Sequence, residues 1–375
     1  MARILFVTWD GGGNVAPALE IARELQHRGE EVRFLGQEQQ RESLERAGFF
    51  FSAFSRPGVW TATGKRGSLK NAAGFLGLIT GRSLGRDLLS AVATTPTDLV
   101  VVDCLLFGAL EAAERAGLRR VVLVHSLYEA IDTRMASGAP GMIARIMGFR
   151  PRALWSGADS VIVTTIEQLD RPPRPGSGLA LTYTGPALPA LAEHDEHPAT
   201  GGPTVLVSLS TTYVAGQARA LQKILDALAD LPVRVLLTTG PAIDPEEVLA
   251  GANTEVHRYL PHAEVMPAVS LVIGHGGHST TMLALAHDLP LLIIPMNLVF
   301  DQVLIGQAVQ RKGAGITLPS SSSAEEIRAA VERLLSLESY REEARRLGAA
   351  IRARRGTQTA ADLLQAQTAL SSPGR

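Results

Sequence analysis

Cysteine is almost absent from this sequence, because only Cys104 among its 375 residues is a cysteine. An internal disulfide is therefore excluded, and we expect the reducing cytoplasm as the compartment. The net charge is only −1, so the chain lacks the basic surplus that nucleic acid binding requires. No uninterrupted apolar run reaches the roughly 18 residues of a membrane-spanning helix, so we expect no stable membrane insertion. The first apolar run, "ILFV", is too short for a signal segment and is typical of a β-strand.

The chain does contain a regular alternation of short Val/Ile/Leu-rich runs with helical patterns. The runs are continuous and do not alternate with polar residues, which indicates strands buried on both faces in a parallel sheet between helices. The predicted strands are Arg3–Val7, Glu31–Gly36, Asp98–Asp103, Arg120–His125, Ser160–Thr164, Thr204–Ser210, Val233–Gly240, Ser270–Gly274 and Leu291–Pro295.

The alternation is interrupted between Ser177 and Gly202, where Pro, Gly and charged residues follow no period. We therefore predict an N-terminal domain of residues 1–188, a linker of residues 189–202 and a C-terminal domain of residues 203–375. Whether the last helix returns to the N-terminal domain is left open. Ligands collect at the carboxyl ends of parallel strands, so we expect the site in a cleft between the domains. The Gly-rich, basic segment Lys65–Leu89 predicts either a surface helix pair beside an acceptor pocket or a mobile loop.

The most informative stretch is "IGHGGHSTTML" at Ile273–Leu283. It follows a predicted strand and leads into a helix predicted from Thr280 to about Ala286. Gly276 and Gly277 allow the backbone to turn sharply and to approach a ligand closely. The stretch thus predicts a ligand-binding turn between a strand and a helix.

The side chains of this turn favour an anion such as phosphate. Hydroxyl groups stand at the predicted helix start, at Ser279, Thr280 and Thr281. Unpaired N–H groups and the helix dipole attract negative charge at such a position. A metal site at His275 and His278 is one alternative, although no Cys or carboxylate clusters nearby to complete it. A Gly-rich turn that Ser and Thr merely cap is the other, and the stretch alone excludes neither.

Two neighbouring stretches suit a polyol and a base. Asp301 and Gln302 follow the strand "LLIIP" and can form paired hydrogen bonds with vicinal hydroxyls. Upstream, Tyr259 offers a flat face and Leu260 a backbone edge for a base. Each signal is weak alone, since a polar loop or a core tyrosine would look the same.

Together these stretches resemble family 1 glycosyltransferases, which move a sugar from a nucleotide diphosphate donor. The resemblance is carried by "YLPHAEVMPAVSLVIGHGGHSTTMLALAHDLPLLIIPMNLVFDQVLIGQAVQRKGAGITL" and extends more weakly through "VSLST" and "YTGP" to nearly the whole chain. It implies the GT-B fold, with two Rossmann-like doubly wound domains facing each other across a cleft. It also implies an inverting, metal-independent reaction in which the turn at His275 binds the donor diphosphate. The donor-binding residues that it implies are Ser210, Thr211, Tyr259, Leu260, His275, Gly276, Gly277, His278, Ser279, Thr280, Asp301 and Gln302.

The donor half departs from the family pattern at three positions. Relatives often have Gly at Ser279 and Ala or Ser at His278. Bulk at His278 would narrow the phosphate turn or add a hydrogen-bond donor. Ser210 replaces a glycine at the end of its strand.

The N-terminal stretch "FVTWDGGGNVAPALEIARELQHRG" resembles the first strand, loop and helix of the same family and of lipid-linked GlcNAc transferases. Those enzymes usually have His, sometimes Asp, three residues before the proline. Here Pro17 makes that position Asn14. Because asparagine cannot accept a proton at neutral pH, the usual general base is absent. We expect the Asn14 amide to hold the acceptor while another group, or the acceptor's own acidity, serves the proton transfer.

Three further groups near strand ends are candidate catalytic residues. Asp10, beside the glycine run, ranks ahead of Asp103 and His125. In relatives with the histidine, the aspartate that corresponds to Asp103 orients it. Each residue also has a structural alternative, as a turn residue, a helix cap and a hydrogen-bonded loop histidine respectively. A phenolic acceptor, with a pKa of about 10, would need less help from a base than an alcohol.

We therefore predict a glycosyltransferase of natural-product biosynthesis that moves a sugar from a UDP- or dTDP-sugar to a small lipophilic acceptor, such as a polyketide or phenolic aglycone. The nucleotide sugar is a co-substrate, and we expect no cofactor, no metal and no nucleic acid partner. Monomer and homodimer both remain open. One alternative is a membrane-associated enzyme with a lipid acceptor. Another is a non-catalytic GT-B relative that binds sugar nucleotides or activates a partner protein, for which Asn14 is the best argument.

Overall fold

The computed structural model describes residues 1–56, 60, 68–191, 202–210, 213–297 and 300–369. Its strands are β1 (Arg3–Val7), β2 (Glu31–Gly36), β3 (Phe50–Ala53), β4 (Leu99–Asp103), β5 (Arg120–Val124), β6 (Ser160–Val163), β7 (Thr182–Tyr183), β8 (Thr204–Ser208), β9 (Arg234–Thr238), β10 (Thr254–His257), β11 (Leu271–Gly274), β12 (Leu291–Ile293) and β13 (Gly315–Thr317). Its α-helices are α1 (Val15–His27), α2 (Arg41–Arg46), α3 (Ser68–Ile79), α4 (Arg82–Thr94), α5 (Phe107–Arg115), α6 (Tyr128–Ala130), α7 (Ala139–Ile146), α8 (Pro151–Ser156), α9 (Gln217–Leu228), α10 (His262–Val265), α11 (His278–Ala286), α12 (Gln302–Arg311), α13 (Ala324–Ser336), α14 (Glu338–Arg354) and α15 (Gly356–Ala369). A π-helical segment, Ile131–Ala136, continues α6, and short 3₁₀ helices cover Glu38–Gln40, Glu167–Leu169, Pro245–Glu247 and Met266–Ala268.

The first compact unit comprises Met1–Ala187 and Arg354–Arg375. Its parallel sheet has seven strands in the order β3-β2-β1-β4-β5-β6-β7. Every residue of β4 and β5 is buried, as continuous apolar runs between two helical layers require. Helix α15 packs against α1, where Ala361 and Leu364 join the core around Ile21. The last helix therefore belongs to this unit.

The second unit comprises Leu188–Ala353 and has its own core. Its parallel sheet has six strands in the order β10-β9-β8-β11-β12-β13. Val205, Ile273 and Leu292 from three adjacent strands are fully buried in one cluster with residues of α9 and α13. This order places the carboxyl ends of β8 and β11 side by side, where the predicted donor residues Ser210 and His275 follow.

The observed elements correct the sequence-based expectations at several points. The sequence does not predict β3, β7, β10 and β13, which are the four edge strands and are short and only partly buried. Strand β7 lies inside the segment Ser177–Gly202 that lacks periodicity. Helix α11 begins at His278 and not at Thr280. The segment Lys65–Leu89 contributes α3 and the start of α4, so the helix pair is correct; residues 65–67 lie outside the described ranges.

Candidate active site

The turn after β11 is built from two closely packed glycines. Gly276 has a positive φ of 85°, and a Cβ placed on it would lie 2.7 Å from the Gln302 carbonyl oxygen. A Cβ on Gly277 would lie 2.6 Å from the His275 ring. Because Gly277 is also the N-cap of α11, the turn directs His275 and the first N–H groups of the helix to one place.

His275 is a neutral hydrogen-bonding group at this turn. Desolvation of its partly buried ring lowers its pKa to about 4. The imidazole is therefore uncharged near neutral pH, and it has one N–H to donate. A neutral hydrogen-bond donor beside a helix N-terminus suits a phosphate group. The His275 imidazole would become positively charged only if a bound anion stabilised its protonated form.

The other predicted donor residues differ in accessibility. Ser279 and Thr280 are partly exposed in the first turn of α11, whereas His278 is only 7% exposed and packs into the domain. Ser210 is buried, and its carbonyl accepts a hydrogen bond from Gln217 Nε2 at 2.7 Å. Thr211 lies outside the described residues.

The base-recognition candidates lie after β10. Tyr259 is 77% exposed, so its ring face is open, and Leu260 beside it is partly buried. An exposed aromatic ring is able to stack on a nucleobase. The structure therefore keeps Tyr259 available for the predicted role.

The pair Asp301–Gln302 adjoins the His275 turn, because Gly276 approaches the Gln302 carbonyl closely. The Gln302 side-chain oxygen accepts the N–H groups of Met296 and Asn297, both at 2.8 Å. It thereby fixes the backbone at Met296 and Asn297, after β12. Asp301, at the N-cap position of α12, is partly exposed. Of the pair, Asp301 is thus the better placed to meet a ligand.

Asn14 is part of a buried hydrogen-bond network in the N-terminal unit. It is 3% exposed, and its Nδ2 donates to the Trp9 carbonyl at 3.0 Å and to Asp103 Oδ2 at 3.3 Å. Its Oδ1 accepts the N–H of Gly11 at 3.0 Å. Both amide N–H bonds are therefore used inside the protein, which argues against the expectation that this amide holds the acceptor.

Asp103 and His125 form a direct pair, since β4 and β5 are neighbouring parallel strands that end at the same edge. His125 Nδ1 lies 2.8 Å from Asp103 Oδ2. The other carboxylate oxygen accepts the N–H of Leu105 at 3.0 Å, which stabilises the turn before α5. Asp103 therefore has both of the roles that the sequence suggested: it stabilises a turn, and it is the partner of a histidine.

The two groups shift each other's pKa. Burial alone would raise the pKa of Asp103, but the charge of His125 and hydrogen bonds from His125 and Leu105 hold it below its ordinary value. Burial alone would lower the pKa of His125, but the Asp103 carboxylate raises it well above the ordinary value. The pair therefore favours an ionised carboxylate beside a basic imidazole.

Asp10, the first-ranked candidate base, is held in place by hydrogen bonds of its backbone. Its N–H donates to Gln37 Oε1 at 2.8 Å, and its carbonyl accepts from Trp60 Nε1 at 3.3 Å. These bonds fix the turn after β1. Asp10 as a whole is partly exposed.

A metal is the alternative use of the His125 cluster, because ligand atoms of Asp103, Cys104 and His125 lie within 4.8 Å of one another. Two ligands at about 2.0 Å from a tetrahedral zinc would be roughly 3.3 Å apart. The 2.8 Å contact between His125 and Asp103 is shorter and has the length of a charge-assisted hydrogen bond. The Cys104 thiol is buried, which raises its pKa and disfavours the thiolate that metals bind.

An aromatic cluster borders His125, and the sequence analysis did not single it out. Trp9 lies edge-on to the His125 ring, with 6.4 Å between centroids. Trp60 and Phe75 pack on Trp9 at 6.5 and 5.7 Å and on each other at 5.5 Å. Two of the chain's three tryptophans are in this cluster. The rarity of tryptophan is the feature of the sequence that could have indicated it.

Comparisons with known proteins agree with this architecture. Residues 222–366 match the family described as erythromycin biosynthesis protein CIII-like, C-terminal domain. Over 97% of the chain, and 99% of the relative, the sequence is 27% identical to 4'-demethylrebeccamycin synthase of Lentzea aerocolonigenes. The calicheamicin glycosyltransferase CalG4 aligns over 100% of both chains with a TM-score of 0.79 and 22% identity. The glycosyltransferase VinC, solved in complex with dTDP, covers 97% of this chain and 99% of its own, with a TM-score of 0.73 and 17% identity.

The protein is a glycosyltransferase with the GT-B fold. Residues 222–366 are similar to the erythromycin CIII-like domain, and the chain is homologous to glycosyltransferases of actinobacterial natural-product pathways. The predicted fold, enzyme class and pathway type are thereby confirmed. Within the described ranges, no helix combines the length and apolarity needed to span a membrane.

Proposed function

We propose that the enzyme moves a sugar from a UDP- or dTDP-sugar to a small lipophilic acceptor, without a metal. The observation that carries this proposal is the turn at His275, where two tightly packed glycines present a neutral imidazole and a helix N-terminus. Such a site stabilises the negative charge that develops on a departing diphosphate. The dTDP in the VinC complex supports a thymidine nucleotide as one candidate donor.

The acceptor side supports a flat, apolar molecule with an acidic or activated hydroxyl. The aromatic cluster of Trp9, Trp60 and Phe75 lies next to His125. Trp9 and Phe75 are buried, so the partly exposed Trp60 is the ring of this cluster that offers a surface. Aromatic side chains recognise flat ligands by stacking and by burying apolar area. A polyketide or phenolic aglycone suits such a ring surface.

Donor screening followed by an acceptor screen tests the proposed function. UDP, dTDP and their sugars should raise the melting temperature, because a ligand that binds only the folded state stabilises it. Wild-type enzyme with the stabilising sugar nucleotide and a mixture of aromatic aglycones should then give a product heavier by one sugar in mass spectrometry. Donor binding without transfer to any acceptor would contradict this function and favour the non-catalytic alternative.

Asp301→Ala is expected to weaken binding of the sugar nucleotide far more than binding of the bare diphosphate. Only the former has sugar hydroxyls, and an unpaired buried partner costs about 1–3 kcal/mol. Calorimetry with both ligands measures the difference. Asp230→Ala, which removes a carboxylate that is 85% exposed on the same unit, is the matched control and should change neither affinity. Equal losses for both ligands in Asp301→Ala would make Asp301 a structural residue of the loop.

Transfer is expected to continue after treatment with a chelator. The donor site that we propose relies on His275 and a helix start, and the sequence has no Asp-x-Asp pair to hold a metal–diphosphate complex. Initial rates are to be measured after dialysis against EDTA, with and without added magnesium or manganese. Activity that disappears with EDTA and returns with either ion would overturn the metal-independent mechanism.

A further inference from the structure

The Asp103 carboxylate is the centre of a network that joins three adjacent strand ends. Asn14 follows β1, Asp103 ends β4, and His125 follows β5; these strands are neighbours in the sheet. Asn14 Nδ2 and His125 Nδ1 both donate to Asp103 Oδ2, at 3.3 and 2.8 Å. The Leu105 N–H occupies Oδ1. The carboxylate is therefore held in one orientation by donors on both oxygens.

We propose that His125 is the general base that activates the acceptor hydroxyl, with Asp103 as the residue that positions it. This proposal rests on the proposed function. It assigns Asn14 the role of holding Asp103, which would explain how the enzyme works with an asparagine where relatives have histidine. The base would then come from the end of β5 and not from the loop after β1.

The hydrogen bond of His125 Nδ1 to Asp103 leaves Nε2 available to accept the proton of the acceptor. With Nδ1 bonded to Asp103, the neutral imidazole has its lone pair on Nε2. Among the described residues, none forms a hydrogen bond with Nε2, and the side chain keeps 12% of its surface exposed. The Trp9 ring packs against the imidazole in a T-shaped arrangement. An acceptor that reaches the exposed part of the His125 side chain would place its hydroxyl beside the imidazole.

The reaction step balances without a further reagent. The acceptor oxygen bonds to the anomeric carbon, and its proton passes to His125 Nε2. The bond from that carbon to the diphosphate oxygen breaks, and the oxygen leaves with the electron pair. Asp103 stabilises the imidazolium until the proton is released to water. The products are the glycoside, the nucleoside diphosphate and one proton.

The charge of Asp103 sets the pH at which this base works. Asp103 and Cys104 are the titratable groups that act on His125 from neighbouring positions, and both raise its pKa. Since only neutral imidazole accepts a proton, activity should rise with pH and reach half its plateau above the ordinary histidine pKa of about 6.5. Asp103→Asn removes the carboxylate charge but keeps an oxygen for Leu105. It should therefore move the acid limb to lower pH and also lower the plateau.

The experiment measures kcat and kcat/KM against pH for wild type, His125→Ala, His125→Gln and Asp103→Asn. We expect His125→Ala and His125→Gln to lose roughly 100-fold or more in kcat, with the acid limb abolished and the donor affinity kept. His27→Ala, an exposed histidine of α1, is the control and should match wild type. NMR titration of the His125 imidazole in free wild type and Asp103→Asn gives the pKa without any turnover.

The outcomes separate this proposal from the proposed function. If wild type transfers sugar but His125→Ala stays within a few-fold of it and keeps the acid limb, His125 is not the base and the proposed function stands. A greater loss in Asp10→Asn than in both His125 variants would assign the base to Asp10. An imidazole pKa that does not fall in Asp103→Asn would also overturn the dyad. Wild type that binds donor yet transfers nothing would overturn the proposed function and, with it, the role of His125.

Discussion

Replacing His275 with alanine is expected to lower kcat by roughly 100- to 1,000-fold and to weaken nucleoside diphosphate binding. The loss of one preorganised donor to a developing anion has effects of this size. The ring is not needed to shape the turn, because Gly276 and Gly277 fix the backbone. The melting temperature should therefore change little. Calorimetry with UDP or dTDP and steady-state transfer rates measure the two effects.

His275→Gln is the conservative variant for this prediction, since it keeps a neutral N–H donor. It should recover part of the affinity and part of the rate, whereas His27→Ala should behave as wild type. If diphosphate affinity is unchanged in His275→Ala, the diphosphate does not bind at this turn.

The low pKa of His275 gives the same prediction a pH signature. In the free enzyme the pKa is about 4, so between that value and about 6.5 the unfolded chain binds more protons than the folded one. Through this residue, the free energy of unfolding should fall as pH is lowered across that window. A bound diphosphate would raise the pKa of His275, so its binding should take up protons and strengthen as pH falls. Calorimetry in buffers of different ionisation enthalpy detects this uptake, which His275→Ala should lose.

The sequence predicted those parts of the fold that local pattern determines. The central strands, such as β4 and β5, are continuous apolar runs because both of their faces are buried. The edge strands have one neighbour and little burial, so β3 and β10 carry mixed residues that no periodicity distinguishes. The His275 turn was also accessible, since one short stretch contains its strand end, glycines and helix start.

The contacts of the candidate catalytic residues in the N-terminal unit could not be predicted in the same way, because they depend on the order of strands in the sheet. Asp103 and His125 are 22 residues apart, and only the pairing of β4 with β5 brings them to 2.8 Å. Sequence reasoning ranked Asp10 first because it adjoins the glycine run. It also could not show that the Asn14 amide is used internally or that Trp60 packs on Trp9.

Gly276→Ala is expected to abolish measurable donor binding and to destabilise the fold by about 2–5 kcal/mol. A non-glycine residue at a φ of 85° costs roughly 1–2 kcal/mol, and overpacking costs typically 1–3 kcal/mol more. The added Cβ would meet the Gln302 carbonyl at 2.7 Å and Ile293 Cγ2 at 3.0 Å. Relief of this clash would separate the turn from the start of α12 and so displace Asp301 as well.

Gly313→Ala is the matched control, because it separates backbone strain from steric contact. Gly313 in the same unit has a φ of 74°, and a Cβ there would have its nearest neighbour at 3.5 Å, the flexible side chain of Glu343. It should cost only the conformational part, roughly 1–2 kcal/mol, and leave donor binding intact. Urea unfolding and calorimetry with the nucleoside diphosphate measure both variants. Gly276→Ala protein that is folded and binds the diphosphate as tightly as Gly313→Ala would show that close packing of this turn is not required to bind the donor.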